Sequence, residues 1–215
     1  MTPKLIERYV ALGDSLTEGV SDWRAADPNI SFVAVLAEQL RHAAPRLTVT
    51  NLGVGGARTA DVLNRQVPTA LNLSPDLVTL VVGANDVPST PAAQFQRTYT
   101  EVIARLREGV AGTIVIANLP DFTHLLPPQY AAYSTQLTQR ITSFNQIIAA
   151  TAAAHNILLV DLHSDAAPHD PLNVSGDGLH PTARGYRAMA RAFAQTLNAT
   201  GYNVPLPSID PVGAG

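Results

Sequence analysis

Ser15 follows a short apolar run, Tyr9-Val10-Ala11-Leu12, that breaks at Gly13 into polar, turn-forming residues. A run of that length reads as a buried strand, and the glycine ends it. In an open α/β sheet, ligands bind at the carboxyl ends of the strands. Ser15 is therefore placed to be a nucleophile. A serine hydroxyl is weak at its own pKa and needs a base. Asp177-Gly178-Leu179-His180-Pro181 offers one. An Asp-x-x-His turn can set the carboxylate against one ring nitrogen and leave the other to face the serine. The acid then fixes the tautomer and stabilises the imidazolium.

Acyl transfer also puts negative charge on a carbonyl oxygen, which fixed N–H groups stabilise. Asn51-Leu52-Gly53-Val54-Gly55-Gly56 follows a second apolar stretch, and Val81-Val82-Gly83-Ala84-Asn85-Asp86 ends a third. Gly56 offers a backbone N–H that a substrate can approach closely. Asn85 offers a side-chain amide. Asp14 and Asp86 lie beside these residues and read as acceptors for loop N–H groups. The spacing Asn51-x-Gly53-x-x-Gly56 mimics a dinucleotide fingerprint. Asn51 stands in place of its first glycine, and Leu77 to Asp86 offers no acid placed for a ribose.

Plainer readings exist for each group. Asp14 and Ser15 are ordinary helix-capping types after a strand, and His180 can be a surface histidine in a capping loop. His42, His124, His155, His163 and His169 compete as the base. Gly13-Asp14-Ser15-Leu16-Thr17 has Thr17 where a nucleophile elbow needs its second glycine, which argues against an α/β-hydrolase fold. A rival constellation is Asp161, His163, Asp165, His169 and Asp170, residue types that can bind metal.

The elements that must position these residues are periodic. Tyr9–Leu12, Leu47–Leu52, Leu77–Val82, Thr113–Ala117 and Ile157–Val160 read as strands. Between them, Ser31 caps a helix with Phe32, Val35, Leu36 and Leu40 on one face. Thr59 caps a helix that Pro68 interrupts. Thr90-Pro91 starts one that runs to about Glu108, and a long helix follows Tyr133. Thr182 to about Thr200 is the last. Five alternating strands predict a three-layer α/β/α sandwich around a five-stranded parallel sheet. Residues 1–200 form one domain, and 201–215 form a Pro/Gly-rich tail.

The chain has 215 residues, a net charge of -3 and no Lys/Arg run, which argues against a nucleic-acid footprint. It has no cysteine, so disulfides, thiolate nucleophiles and cysteine-based zinc sites are excluded. No apolar run approaches a membrane span. Without a basic-then-apolar leader, the expected location is cytoplasmic.

The blocks around Ser15, Gly56, Asn85 and His180, in that order, resemble those of the SGNH hydrolase (GDSL esterase/lipase) superfamily. The resemblance runs from about Arg8 to Leu197. It implies a flavodoxin-like strand order, 2-1-3-4-5. It implies a serine esterase with Ser15 as nucleophile, His180 as base and Asp177 as orienting acid. The oxyanion donors are then the Ser15 backbone N–H, Asn85 and Gly56, with Gly53 as the alternative glycine. No cofactor is expected, and the partner is a small acyl ester. The family includes short-chain esterases, thioesterases, lysophospholipases and carbohydrate deacetylases. From the residues themselves, Leu119 and Phe122, in the loop after the fourth strand, are expected to line an acyl pocket that Trp23 closes; the alternative is that Phe122, Leu125 and Leu126 pack over the core beneath that loop. The competing classes are a metal-dependent hydrolase using Asp161 to Asp170 and a non-catalytic small-ligand-binding module.

Overall fold

The computed structural model describes residues 6–21, 27, 29–121, 123 and 132–210. Five parallel strands form one sheet: β1 (Arg8–Gly13), β2 (Thr48–Asn51), β3 (Leu77–Val81), β4 (Thr113–Ala117) and β5 (Leu158–Val160). Their order is β2-β1-β3-β4-β5, the order that the resemblance implies. β1 runs beside β3 with Tyr9 opposite Leu77 and Gly13 opposite Val81. The carboxyl ends of β1 and β3 therefore finish level, and the loops after them emerge side by side.

Side chains alternate across a strand, and here the alternation divides the core in two. Tyr9 and Ala11 face one layer, with Phe32, Leu36, Tyr186 and Phe193. Val10 and Leu12 face the other, with Phe95, Tyr99, Phe144 and Ile148. The helices follow in chain order as α1 (Ser15–Glu18), α2 (Phe32–Arg41), α3 (Thr59–Asp61), α4 (Val67–Asn72), α5 (Ala92–Gly109), α6 (Ser134–Ala154) and α7 (Ala183–Asn198). α2 and α7 cover the first face, where the Phe32 and Phe193 rings stack with centroids 4.8 Å apart. α5 and α6 cover the second, where Phe95 stacks on Phe144 at 4.0 Å. Burial on both faces explains why β3 is apolar at every position but Thr79.

Several boundaries differ from the sequence expectation. Ser31 does cap α2, accepting the Ala34 N–H. Thr59 does not cap its helix: Arg58 takes that position, and the Thr59 hydroxyl donates to Asp86 instead. Pro68 does not interrupt the chain's helical course. Val62–Gln66 form a π turn that joins α3 to α4, and Val67 donates to Val62 O. The widened ladder accommodates a residue with no N–H to give. α1, a single turn, lies where the sequence reads as loop. The part of the tail within the described residues drapes over α7: Asn198 pairs with Val204, and Arg184 with Asp210.

Candidate active site

β1 delivers Ser15 through a turn that is pinned from several sides. The buried Gln66 amide holds both polar groups of Gly13: its Oε1 accepts the N–H and its Nε2 donates to the carbonyl, each at 2.8 Å. Asp14 N donates to Val81 O on the neighbouring strand. The Asp14 carboxylate accepts the Leu16 N–H and so caps α1. Ser15 is thus the first residue of a helical turn, and its own N–H is one that a helix leaves without an internal partner. The capping reading and the nucleophile reading of Asp14-Ser15 are compatible.

The histidine comes from the turn that enters α7. Asp177 Oδ1 accepts the backbone N–H groups of Leu179 and His180, each at 2.8 Å, and the Ser175 hydroxyl at 2.9 Å. Its Oδ2 lies 2.8 Å from His180 Nδ1. His180 Nε2 lies 3.0 Å from Ser15 Oγ. The His180 and Asp177 side chains are 2% and 1% exposed. Burial pushes the Asp177 carboxyl upward, but the donors from His180, Leu179 and Ser175 outweigh it and hold the pKa below the usual carboxylate value. Asp177 is therefore ionised wherever His180 could need a counter-charge. Thr182 caps α7, and its hydroxyl and N–H reach back to Leu172 O and Asn173 O. Arg184 ties the same loop down through Asp170 and Asn173.

Gly56 and Asn85 face the same edge from β2 and β3. Gly53 donates its N–H to Asn51 Oδ1 at 2.9 Å, so it has no donor left for a ligand. Gly56 has no intramolecular acceptor for its N–H among the described residues. Its φ is +78° and a Cβ there would meet open space, so backbone hand rather than crowding calls for glycine. Asn85 Nδ2 donates one hydrogen to Ala57 O at 3.0 Å and keeps a second. Ala57 thus links the Asn85 amide to the glycine loop. Asp86 accepts from Thr59 N, Thr59 Oγ1 and Thr90 Oγ1, each at 2.9 Å, and joins that loop to α5. Asp14 and Asp86 are both loop organisers. Burial, with a smaller contribution from Asp86, pushes the Asp14 carboxyl up to about 7.

Leu119 corrects an expectation. It is 1% exposed and packs in the second core layer. The buried Asn145 amide clasps its N–H and carbonyl at 2.8 Å each. Leu119 anchors the loop and does not line the apolar cavity described next. Trp23 and Phe122 lie outside the described residues. A mainly apolar cavity of about 60 Å³ instead opens beside the turns that carry Ser15 and His180, with Leu16, Pro120, Leu162, Leu179, Pro181 and Met189 in its lining. The Asp161 to Asp170 cluster disperses. Asp161 accepts from Asn118 and Ser164, Asp165 from Ala167, and Asp170 from Leu172 and Arg184. The described residues hold no group of three or more His, Cys, Asp or Glu placed around a cation.

Sequence reasoning passed over Gln66, Asn145, Glu18 and Tyr186. Gln66 and Asn145 carried a signal: each is an amide inside an otherwise apolar helical stripe, beside Val62 and Val67 or Phe144 and Ile148. A buried amide must find partners, and the only open question was which. Tyr186, buried on α7, donates to Val20 O at 2.5 Å and holds the end of α1 against the histidine's helix.

The wider comparisons agree with this architecture. The GDSL-like lipase/acylhydrolase family matches residues 11–188. An acetylxylan esterase of Geobacillus stearothermophilus is 24% identical over 217 residues, covering 89% of this chain and 94% of that protein. Two solved structures share the fold. TesA has a TM-score of 0.72 at 22% identity over 89% of this chain and 98% of its own. LAE5, an alpha/beta hydrolase enzyme from the metagenome of Lake Arreo, Spain, has a TM-score of 0.71 at 24% identity, over 89% and 95%. With the SGNH fold and this family match together, the chain belongs to the GDSL-like lipase/acylhydrolase family and is a serine ester hydrolase.

Proposed function

We propose that the protein hydrolyses short-chain carboxylic esters by acyl transfer to Ser15. The observation that carries this is the His180 ring, engaged at both nitrogens: Asp177 Oδ2 at 2.8 Å and Ser15 Oγ at 3.0 Å. His180 Nε2 takes the Ser15 proton as Oγ attacks the carbonyl carbon. The carbonyl oxygen gains charge, which the N–H groups of Ser15 and Gly56 and the Asn85 amide stabilise. The tetrahedral centre collapses, and His180 returns the proton to the leaving alcohol. Water then attacks the acyl-enzyme with His180 again as base, and the acid leaves. Asp177 stays ionised and holds the ring in the tautomer that presents a bare Nε2.

The apolar cavity beside Leu16, Leu179 and Pro181 supports a short acyl group. Its volume of about 60 Å³ is well below the ~150 Å³ of an apolar cavity that takes benzene. The acetylxylan esterase relative supports a second reading, an O-acetyl sugar ester. An acetyl group fits the same cavity, so the two readings differ in the alcohol. The test of the shared chemistry is covalent labelling by a phosphonate ester. The expected result is one label per chain on Ser15 and none on Ser15→Ala. Full labelling of Ser15→Ala would refute the nucleophile assignment.

A further inference from the structure

Five consecutive N–H groups, Gly53 to Ala57, run past Ser15, and four of them have acceptors. Gly53 donates to Asn51 Oδ1 at 2.9 Å and Val54 to Gly13 O at 3.2 Å. Ala57 donates to Val54 O at 3.0 Å. Gly55 donates to Glu18 Oε2 at 2.6 Å. The Gly56 N–H is the one left over. A loop that saturates the neighbouring donors and leaves one without an acceptor among the described residues is pre-organised for an anion.

Glu18 differs from the other acceptors. Those belong to the ends of β1 (Gly13) and β2 (Asn51) or to the loop itself (Val54). Glu18 is the last residue of α1, whose first residue is Ser15. Its carboxylate joins the two oxyanion N–H sources, the start of α1 and Gly56, through a charge-assisted bond to the residue adjoining Gly56. Asn51 reinforces the same junction from below, with Nδ2 donating to Thr17 O at 2.7 Å. A Cβ added at Gly55 would stand 2.9 Å from Glu18 Oε2 and 4.0 Å from Ser15 Cβ. The glycine loop and α1 are therefore in direct contact at this point.

We propose that Glu18 is a positioning residue for transition-state stabilisation: its carboxylate fixes the Gly56 N–H relative to Ser15. The proposal rests on the Ser15 esterase reading above. Glu18 touches no reacting atom in it. Its effect passes through Gly55 and is felt only as charge develops on the carbonyl oxygen. Loss of the tether should therefore appear in kcat and not in KM.

The test is steady-state hydrolysis of p-nitrophenyl acetate by Glu18→Ala, Glu18→Gln and Gly55→Ala, with active sites counted by phosphonate titration. Glu18→Ala should lower kcat by about tenfold to a hundredfold, with KM within about twofold, since misplacing a group by about 1 Å costs up to that much. Glu18→Gln keeps an acceptor oxygen and should recover kcat to within about threefold of the wild type. Gly55 adopts no positive φ, and Gly55→Ala displaces the carboxylate from the other side. Its loss should match that of Glu18→Ala, and the double variant should be no worse than either single, because both remove one bond. The proposal is overturned if fully titratable Glu18→Ala keeps kcat within twofold, or if Glu18→Gln stays as low as Glu18→Ala. Ser15→Ala in the same assay separates the two levels. Turnover by that variant would sink the serine reading itself, whereas a dead Ser15→Ala beside an unaffected Glu18→Ala sinks only the role of Glu18.

Discussion

His180 Nε2 lies 3.0 Å from Ser15 Oγ although the two residues are 165 positions apart. The contact depends on α7 lying against the turn after β1, which Tyr186 secures by donating to Val20 O. Ser15→Ala and His180→Ala should each lower kcat by on the order of a thousandfold or more, because such groups act as a unit. Melting temperatures should stay close to wild type for Ser15→Ala. His163 is the control: its backbone N–H donates to Asn118 Oδ1, and its Nδ1 has no hydrogen-bond partner among the described residues. His163→Ala should keep most turnover. An inactive His163→Ala with an active His180→Ala would reverse the assignment of the base.

Asn85 is anchored through Ala57 O and keeps one amide hydrogen, which in the proposed reaction meets the substrate oxygen. In that role the donor matters most when charge has developed. Asn85→Ala should lower kcat by roughly a hundredfold to a thousandfold and change KM little. A variant whose defect lies wholly in KM would make Asn85 a ground-state contact instead.

The Asp14 carboxyl predicts an unusual pH dependence of stability. Burial raises it from an ordinary 3.8 to about 7. Between those values the folded protein holds a proton that the unfolded chain has released. Stability contributed by this group therefore falls as pH rises from about 4 to 7, then levels off. Asp177, Asp161 and Asp76 have the opposite sign, with lowered pKa values that cost stability only in more acidic solution. Asp14→Asn keeps an oxygen to cap α1 and removes the titration. Its melting temperature relative to wild type should rise from pH 5 to about pH 7 and then level off. A difference that stays flat over that range would mean that Asp14 does not bind a proton near neutrality.

Much of this architecture is legible because its signals are local. β3 is buried at alternate and intervening positions alike and apolar at all of them but Thr79, as expected of a strand covered twice. The Asp177 to His180 turn closes on itself within four residues. Leu119 is different. One apolar residue past a strand can face a cleft or the core, and only the distant Asn145 clamp decides it. The cavity was equally hidden, because Leu16, Leu162 and Met189 meet from three separate parts of the chain. Glu18 gave no sign at all: its partner is a backbone N–H 37 residues away.

Two buried tyrosines separate the worth of a satisfied hydroxyl from the cost of an orphaned one. Tyr9 Oη lies 2.9 Å from Thr79 Oγ1. Tyr99 Oη is buried with no partner among the described residues. Tyr9→Phe should cost about 1–3 kcal/mol in urea denaturation, since it strands the Thr79 hydroxyl. Tyr99→Phe should be neutral or stabilising. A marked loss in Tyr99→Phe would require an acceptor for that hydroxyl.

The last prediction concerns how much acyl chain the enzyme accepts. The cavity wall is apolar, and Leu16, Leu179 and Pro181 are chain neighbours of Ser15 and His180. Each CH2 that enters it should add about 0.8 kcal/mol of stabilisation, roughly a fourfold gain in kcat/KM. With about 60 Å³ available, the gain should stop after the first few carbons, and longer chains should lose activity as they meet the far wall. Met189, 7% exposed on α7, helps to close that space. Met189→Ala should move the optimum toward longer chains, at a cost to stability of about 2–5 kcal/mol that melting experiments will register. The series of p-nitrophenyl esters from acetate to octanoate should be run beside acetylated xylo-oligosaccharides. A rise and fall with chain length, shifted in Met189→Ala, supports the simple ester and locates its acyl group. Strict acetyl preference with much higher kcat/KM on the sugar would instead assign the specificity to the alcohol side, beyond the cavity, and would favour the O-acetyl sugar reading.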